Sequence, residues 1–279
     1  MTLHAISVDV EDWYQSTLDP HAELSDRFLA STGKVLDAFA ARGVRGTFFV
    51  LGLAAEKAPG LVKRIAAAGH EVQSHGYGHM EVFKTTEEEF RRDVAHAKAL
   101  LEDLAGQEIY GYRAPSFSID ERTPWAHAVL AETGHRYSSS IFPVKMSRYG
   151  IDGYPPEPRV VTTGGGGRIV EAPVGCFHWL GKRRPCAGGG YMRLLPYWVL
   201  RRAWRQMDSQ HRPGIAYMHP YEFDPSEMSA IKQDIPLKVR LHQGIGRAGF
   251  AGKINRLLSE FQFGPICQAI APLLAAAAT

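Results

Sequence analysis

The chain has 279 residues, of which 45% are hydrophobic and 22% charged, the composition of a soluble globular protein able to bury a large core. A formal net charge of +3 is too slight to mark a nucleic-acid-binding surface. Cys176, Cys186 and Cys267 match neither a zinc ribbon nor a disulfide framework, and read as buried free thiols in a reducing compartment.

Residues 3–10 alternate and are β-branched enough to form a strand, ending in Asp9, Glu11 and Asp12. Ser31 or Thr32 caps a helix whose apolar face is Val35, Leu36, Phe39 and Ala40, stopped by Gly43. Residues 47–51 form a continuous apolar strand, as in a sheet covered on both faces. A helix through Leu61, Val62, Ile65 and Ala66 follows, then a strand leading into His75. Thr86 is a good N-cap, and Glu87, Glu88 and Glu89 suit the dipole of a helix running to about Ala105. Strands are expected at 109–113, 137–142, 168–173 and 214–218, and helices at 125–132, 195–207 and 249–261. The Gly- and Pro-rich stretch 149–167 reads as a long surface loop or a hairpin.

Strand and helix alternate from one end to the other, which indicates a parallel sheet. The groups able to do chemistry all follow strands: Asp9 to Asp12, His75 with His79, Arg113 and His219. One site assembled from four strand ends favours an α/β barrel over a doubly wound sheet. Two histidines four apart share one side of a helical turn, and with one carboxylate they make an open divalent metal site. Gly188-Gly189-Gly190-Tyr191 lacks the Lys-Ser/Thr of a phosphate loop, so nucleotide binding is rejected. Its glycines instead permit close approach of the backbone to substrate or to a neighbouring strand. No secretory signal is visible, so a cytoplasmic location is expected. The apolar stretch 266–278 is too short and interrupted to span a bilayer. It reads as a helix packed on the domain, with weak membrane-surface contact as the alternative.

In order along the chain, Ser7 to Asp12, His75 to His79, Arg113-Ala114-Pro115 and Tyr217-Met218-His219-Pro220 resemble the motifs of the NodB-like polysaccharide deacetylases, carbohydrate esterase family four. Asp9 to Trp13, Gly188 to Tyr197 and His219 to Pro225 resemble one branch, found with exopolysaccharide gene clusters of the exosortase (PEP-CTERM) type. The resemblance implies a distorted (β/α) barrel of about seven strands over residues 1–225, with 226–279 an extension packed on the same domain. It also implies one divalent ion, expected to be zinc, and an N-acetylated glycan as the partner.

The resemblance makes Asp9 the general base, Arg113 its partner, His219 the acid and the Ser116 N–H an oxyanion donor. His75 and His79 would hold the metal with Glu11 or Asp12. Glu11 should share a face with Asp9 if the strand continues, and Asp12 would turn in if it has already broken. The carboxylate that orients His219 could be Asp208 or Asp224. Trp13, Phe117 and Tyr191 are candidates for stacking on sugar, with Tyr14 and Trp179 also near the motifs. Lys182-Arg183-Arg184 suits a solvated loop, or contact with an anionic glycan or a lipid-diphosphate carrier. The expected activity is deacetylation of N-acetylhexosamine in a bacterial exopolysaccharide or its precursor. The alternatives are hydrolysis of a cyclic or small amide, and glycan binding without catalysis.

Overall fold

Residue parity along each strand decides which side chains enter the barrel. In the computed structural model, which describes residues 1–278, β1 (His4–Val10) is buried along its whole length. Ile6, Val8 and Val10 join the core cluster that lies under the helices, whereas Ala5 faces an inner cluster. Side chains alternate across a strand, so Ser7 and Asp9 follow Ala5 inward. The same parity holds in β2 (Thr47–Val50), where Phe48 and Val50 pack outward and Phe49 inward.

β3 (Glu71–Ser74), β4 (Gly111–Tyr112) and β5 (Tyr137–Ser138) continue the parallel sheet. β6 (Arg159–Thr162) pairs antiparallel with β7 (Arg168–Glu171), so the Gly-rich stretch between 149 and 167 contains a hairpin strand. β8 (Cys176–Trp179) and β9 (Lys182–Pro185) form a separate two-stranded hairpin. The order is β10-β1-β2-β3-β4-β5-β7-β6, with β10 (Ile215–Met218) beside β1 and β11 (Phe263–Gly264) also paired to β1. Seven strands from β10 to β7 run parallel, forming the curled sheet of a distorted barrel.

Helices cover the outer face. In chain order they are α1 (Trp13–Thr17), α2 (Arg27–Ala40), α3 (Gly52–Lys57), α4 (Pro59–Ala67), α5 (Glu87–Ala105) and α6 (Ala126–Glu132). Then follow α7 (Gly189–Leu194), α8 (Tyr197–Ser209), α9 (Glu227–Ala230), α10 (Leu237–Gly244), α11 (Arg247–Glu260), α12 (Ile266–Ala269) and α13 (Ala271–Ala277). Thr86 and Glu89 form a reciprocal capping box on α5, and Gly106 closes it in the left-handed conformation. Ile266 and Ile270 pack with Ala5, Phe49, Tyr137 and Ile215 at the barrel end remote from Asp9. The Ile266 N–H donates to Thr47 Oγ1 at 2.8 Å, which ties α12 to β2. Among the described residues no helix is long and apolar enough to cross a membrane. The three cysteines are free, with Cys267 only partly buried.

Candidate active site

The inward series on β1 runs Ala5, Ser7, Asp9 and then Glu11, one residue past the strand. Asp9 is buried and accepts from Arg113 Nη1 at 2.8 Å. That guanidinium is fully buried, so it needs partners on every edge. It donates to Ser7 Oγ at 2.7 Å, to the Ser139 carbonyl at 2.9 Å and to Ser139 Oγ at 2.7 Å. Its face lies 4.3 Å from the centre of the Phe49 ring. Asp9 is thereby held by a cation that is itself fixed by three strands.

Glu11 meets both histidines. His79 Nε2 lies 2.9 Å from Glu11 Oε2, and His75 Nε2 lies 3.4 Å from the same oxygen. His75 donates through Nδ1–H to the Arg113 carbonyl at 2.8 Å, which leaves its Nε2 lone pair facing Glu11. Burial opposes charge on Glu11, yet His79, His219 and His75 hold its carboxyl well below the usual range. Glu11 Oε2 is buried and accepts no hydrogen bond of good geometry. An orphaned carboxylate oxygen and two ring nitrogens, all within 4.8 Å of one another, fit a divalent cation. The expected helical turn is not what joins the histidines. Residues 75–79 form a loop in which Gly76 has φ +77° and His79 φ +60°. Asp93 on α5 accepts from the Tyr77 N–H at 3.1 Å and braces that loop.

His219 follows β10 on the inward parity of Ile215 and Tyr217. Its ring stacks on Tyr221 with centroids 4.7 Å apart, and its Nε2 lies 3.5 Å from Glu11 Oε1. Burial pulls its pKa down, but the Glu11, Glu222 and Asp9 carboxylates outweigh that and hold it at about 9. Glu222 Oε2 lies 3.7 Å from His219 Nδ1 and accepts from the His219 N–H at 3.0 Å. Glu222 is therefore the carboxylate beside His219. Asp208 instead accepts from the Thr2 N–H, and Asp224 pairs with Arg27 and Lys34. Gly189 makes room for Glu222, since a Cβ there would lie 1.6 Å from Glu222 Oε2.

Asp12 does not turn toward the histidines. β1 has ended, and Asp12 caps α1 by accepting from the Tyr14 and Gln15 N–H groups and from Ser25. Trp13, expected near sugar, is only 1% exposed and packs with Met228, Ile231 and Ile235, because its place on α1 points it into the core. Ser116, at φ +54°, and Phe117 line the cleft with Asp9, Glu11, His75 and His79. Tyr191 and Trp179 line a neighbouring groove instead.

Residues 25–138 match the family model described as polysaccharide deacetylase, and residues 139–271 match a domain of unknown function (DUF3473). Asp9 and Glu11 precede the first match, and His219 lies within the second. A solved structure from Mycobacterium smegmatis, assigned to the polysaccharide deacetylases, superposes with a TM-score of 0.66 at 21% identity, covering 99% of this chain and 91% of that one. The fold is that of the polysaccharide deacetylases. A curated peptidoglycan-N-acetylglucosamine deacetylase of Bacillus cereus is 38% identical over 99 residues, 35% of this chain and 36% of its own length. The chain thus spans about a third of that relative. An allantoinase also shares the deacetylase fold, with a TM-score of 0.65 at 15% identity over 98% of this chain and 90% of that one. The deacetylase family match thus lies in the first half of the chain, the curated match covers about a third of it, and the structural matches extend the likeness of fold to nearly the whole chain.

Proposed function

We propose that this chain is a metal-dependent N-deacetylase acting on N-acetylhexosamine units of a bacterial exopolysaccharide or its precursor. The observation that carries the reading is one cleft, of about 240 Å³, lined by Asp9, Glu11, His75, His79, Ser116 and His219. It contains the groups an amide hydrolysis needs and little else that is charged. The exosortase-associated branch and a cytoplasmic location belong to the same proposal. So does the reading of 226–278 as an extension of the barrel domain.

When bound at Glu11, His75 and His79, a divalent cation, zinc in this proposal, supplies Lewis acidity toward the acetyl carbonyl and the attacking water. Asp9 takes the proton of that water. Arg113 keeps Asp9 aimed, because the guanidinium cannot leave its pocket of Ser7 and Ser139. The Ser116 N–H donates to the developing oxyanion, a contact worth about 3–4 kcal/mol where such donors have been removed. His219 gives its proton to the departing nitrogen. Glu222 favours the charged ring from the side away from Glu11, so it acts on His219 even with Glu11 committed to a cation.

The test is acetate release from a panel of N-acetylated glycans, with cyclic ureides as the comparison and metal content measured on the same preparation. Turnover of the glycans by metal-containing protein supports the reading. Turnover of cyclic ureides alone would shift it to cyclic-amide hydrolysis. Glycan binding without acetate release would leave a binding protein.

A further inference from the structure

The catalytic cleft is not the largest concavity of the molecule. A groove of about 740 Å³ lies against the β8–β9 hairpin. Phe177, Trp179, Leu195 and Val199 are among the apolar side chains that line it, and Lys145, Arg183 and Arg184 bring positive charge. Among the described residues, no carboxylate, amide, serine or threonine side chain lines it. A sugar chain laid there would find donors in the three cations but no carboxylate or amide oxygen to accept from its hydroxyl groups, and unpaired buried hydroxyls are costly. A hydrocarbon chain with an anionic head meets what the walls offer: apolar surface along the groove and cations beside it.

The groove also leads to the chemistry. Lys145 and Met146 line both the groove and an adjoining cavity of about 260 Å³. Arg148 and Tyr149 line that cavity and the catalytic cleft. Its acids are Glu121 and Asp120, with Asp120 engaged by Arg122 through both carboxylate oxygens, and Arg148, exposed, lies 3.3 Å from Glu81 Oε1 through one nitrogen, Nη2. Arg148 and Lys145 therefore stand between an acetyl-cleaving site and an apolar trough. At the edge of the trough, Leu180 at the tip of the hairpin is 86% exposed, and Trp198, whose ring centre lies 5.8 Å from that of Trp179, is 61% exposed, which extends the apolar lip outward.

We propose that this groove receives the hydrocarbon chain of a lipid-linked substrate. Its N-acetylated sugar occupies the cleft, and the phosphate or diphosphate joining sugar to chain lies at Arg148 and Lys145. The sugar end of this assignment rests on the deacetylase reading; the lipid end does not.

The probe is farnesyl diphosphate, titrated by calorimetry into the metal-loaded full chain, beside farnesol, inorganic diphosphate, chitotetraose and phosphatidylglycerol vesicles. Farnesyl diphosphate is expected to bind at least tenfold more tightly than farnesol or diphosphate alone. The double variant Lys145→Glu/Arg184→Glu changes exposed residues and should weaken that binding at least tenfold. Leu195→Trp, which fills the trough, should weaken it as well. Binding no tighter than that of inorganic diphosphate, or equal binding by the charge-reversed variant, overturns the proposal. So does displacement of the probe from the groove by chitotetraose, which would make it a glycan subsite. Vesicle binding without binding of monomeric farnesyl diphosphate would make it a membrane contact and overturn it too. Tight, variant-sensitive binding by a chain that releases no acetate from any glycan supports the groove assignment and removes the deacetylase reading alone.

Discussion

Asp9 and Glu11 sit two residues apart on one face, and their neighbours give them different tasks. Asp9 meets a guanidinium and Glu11 meets imidazoles. Replacing Asp9 by Asn should therefore cost about 10²–10⁴-fold in turnover while metal content stays stoichiometric. Glu11→Gln should instead lose the ion, read by elemental analysis after dialysis. Loss of metal from Asp9→Asn with both histidines intact would reverse these roles. For His219 the prediction concerns the leaving group. His219→Ala should lower kcat far more than it raises KM on an acetamido sugar, and hurt less on an aryl acetate, whose departing oxygen needs no proton. An equal loss on both would assign His219 to oxyanion stabilisation or to the fold. Glu222→Gln should show the same substrate dependence more weakly, because Glu222 acts through His219.

At the level of elements, the first turn of α7 acts on the site through a glycine. Its Gly189 lets Glu222 lie against the backbone, and any side chain there must push that carboxylate away. Gly189→Ala should lower kcat several-fold without changing metal content, while Gly190→Ala, where a Cβ meets open space, should be near neutral. Equal effects at the two positions would show that Glu222 can shift without consequence. What the sequence reveals follows the range of the signal. The α5 helix is legible because Thr86 and Glu89 cap it locally, Asp9 and His219 because each follows an apolar run, and His75 because a second histidine stands four positions on. Glu222 is not, since its proximity to His219 depends on a glycine 33 positions earlier in the chain. The β8–β9 hairpin is equally hidden: Lys182 and Arg184 are exposed, so β9 lacks the apolar alternation by which a strand is recognised. Trp13 misleads for the opposite reason. It adjoins the acidic motif, but a helix begins there and rotates it into the core.

For the whole molecule, three buried histidines set a pH response. Burial lowers His4 and His70 to about 4 and His135 to about 3. Below about 6.5 the unfolded chain gains protons that these folded rings refuse, so stability present at neutral pH is lost as pH falls toward 4. Glu71, raised by burial, and His219, held at about 9 by its carboxylates, have the opposite sign and offset part of the loss. The urea midpoint should fall steadily between pH 7 and pH 5, and His135→Phe should flatten that slope. A midpoint independent of pH over this interval would contradict the assignment. The C-terminal segment offers a second global test. Deleting 263–278 removes the β11 pairing with β1 and the contacts of Ile266 and Ile270 with the inner core. Such a chain should melt at lower temperature in one transition. A truncated protein as stable as the whole would make the extension a separate appendage.

The position of β1 has a further consequence, for the time before the protein is finished. Ala5 pairs with Ile215, and His4 with Phe263, so the strand bearing Asp9 finds its last partners only when most of the chain has been made. On the ribosome β1 can join β2 early, but its other edge stays open through the synthesis of nearly the whole barrel. An unpaired, apolar strand edge is a template for pairing with other chains. The most vulnerable moment of this protein therefore comes during translation, when His75, His79 and Arg113 already exist and the strand they must face is held on one side only.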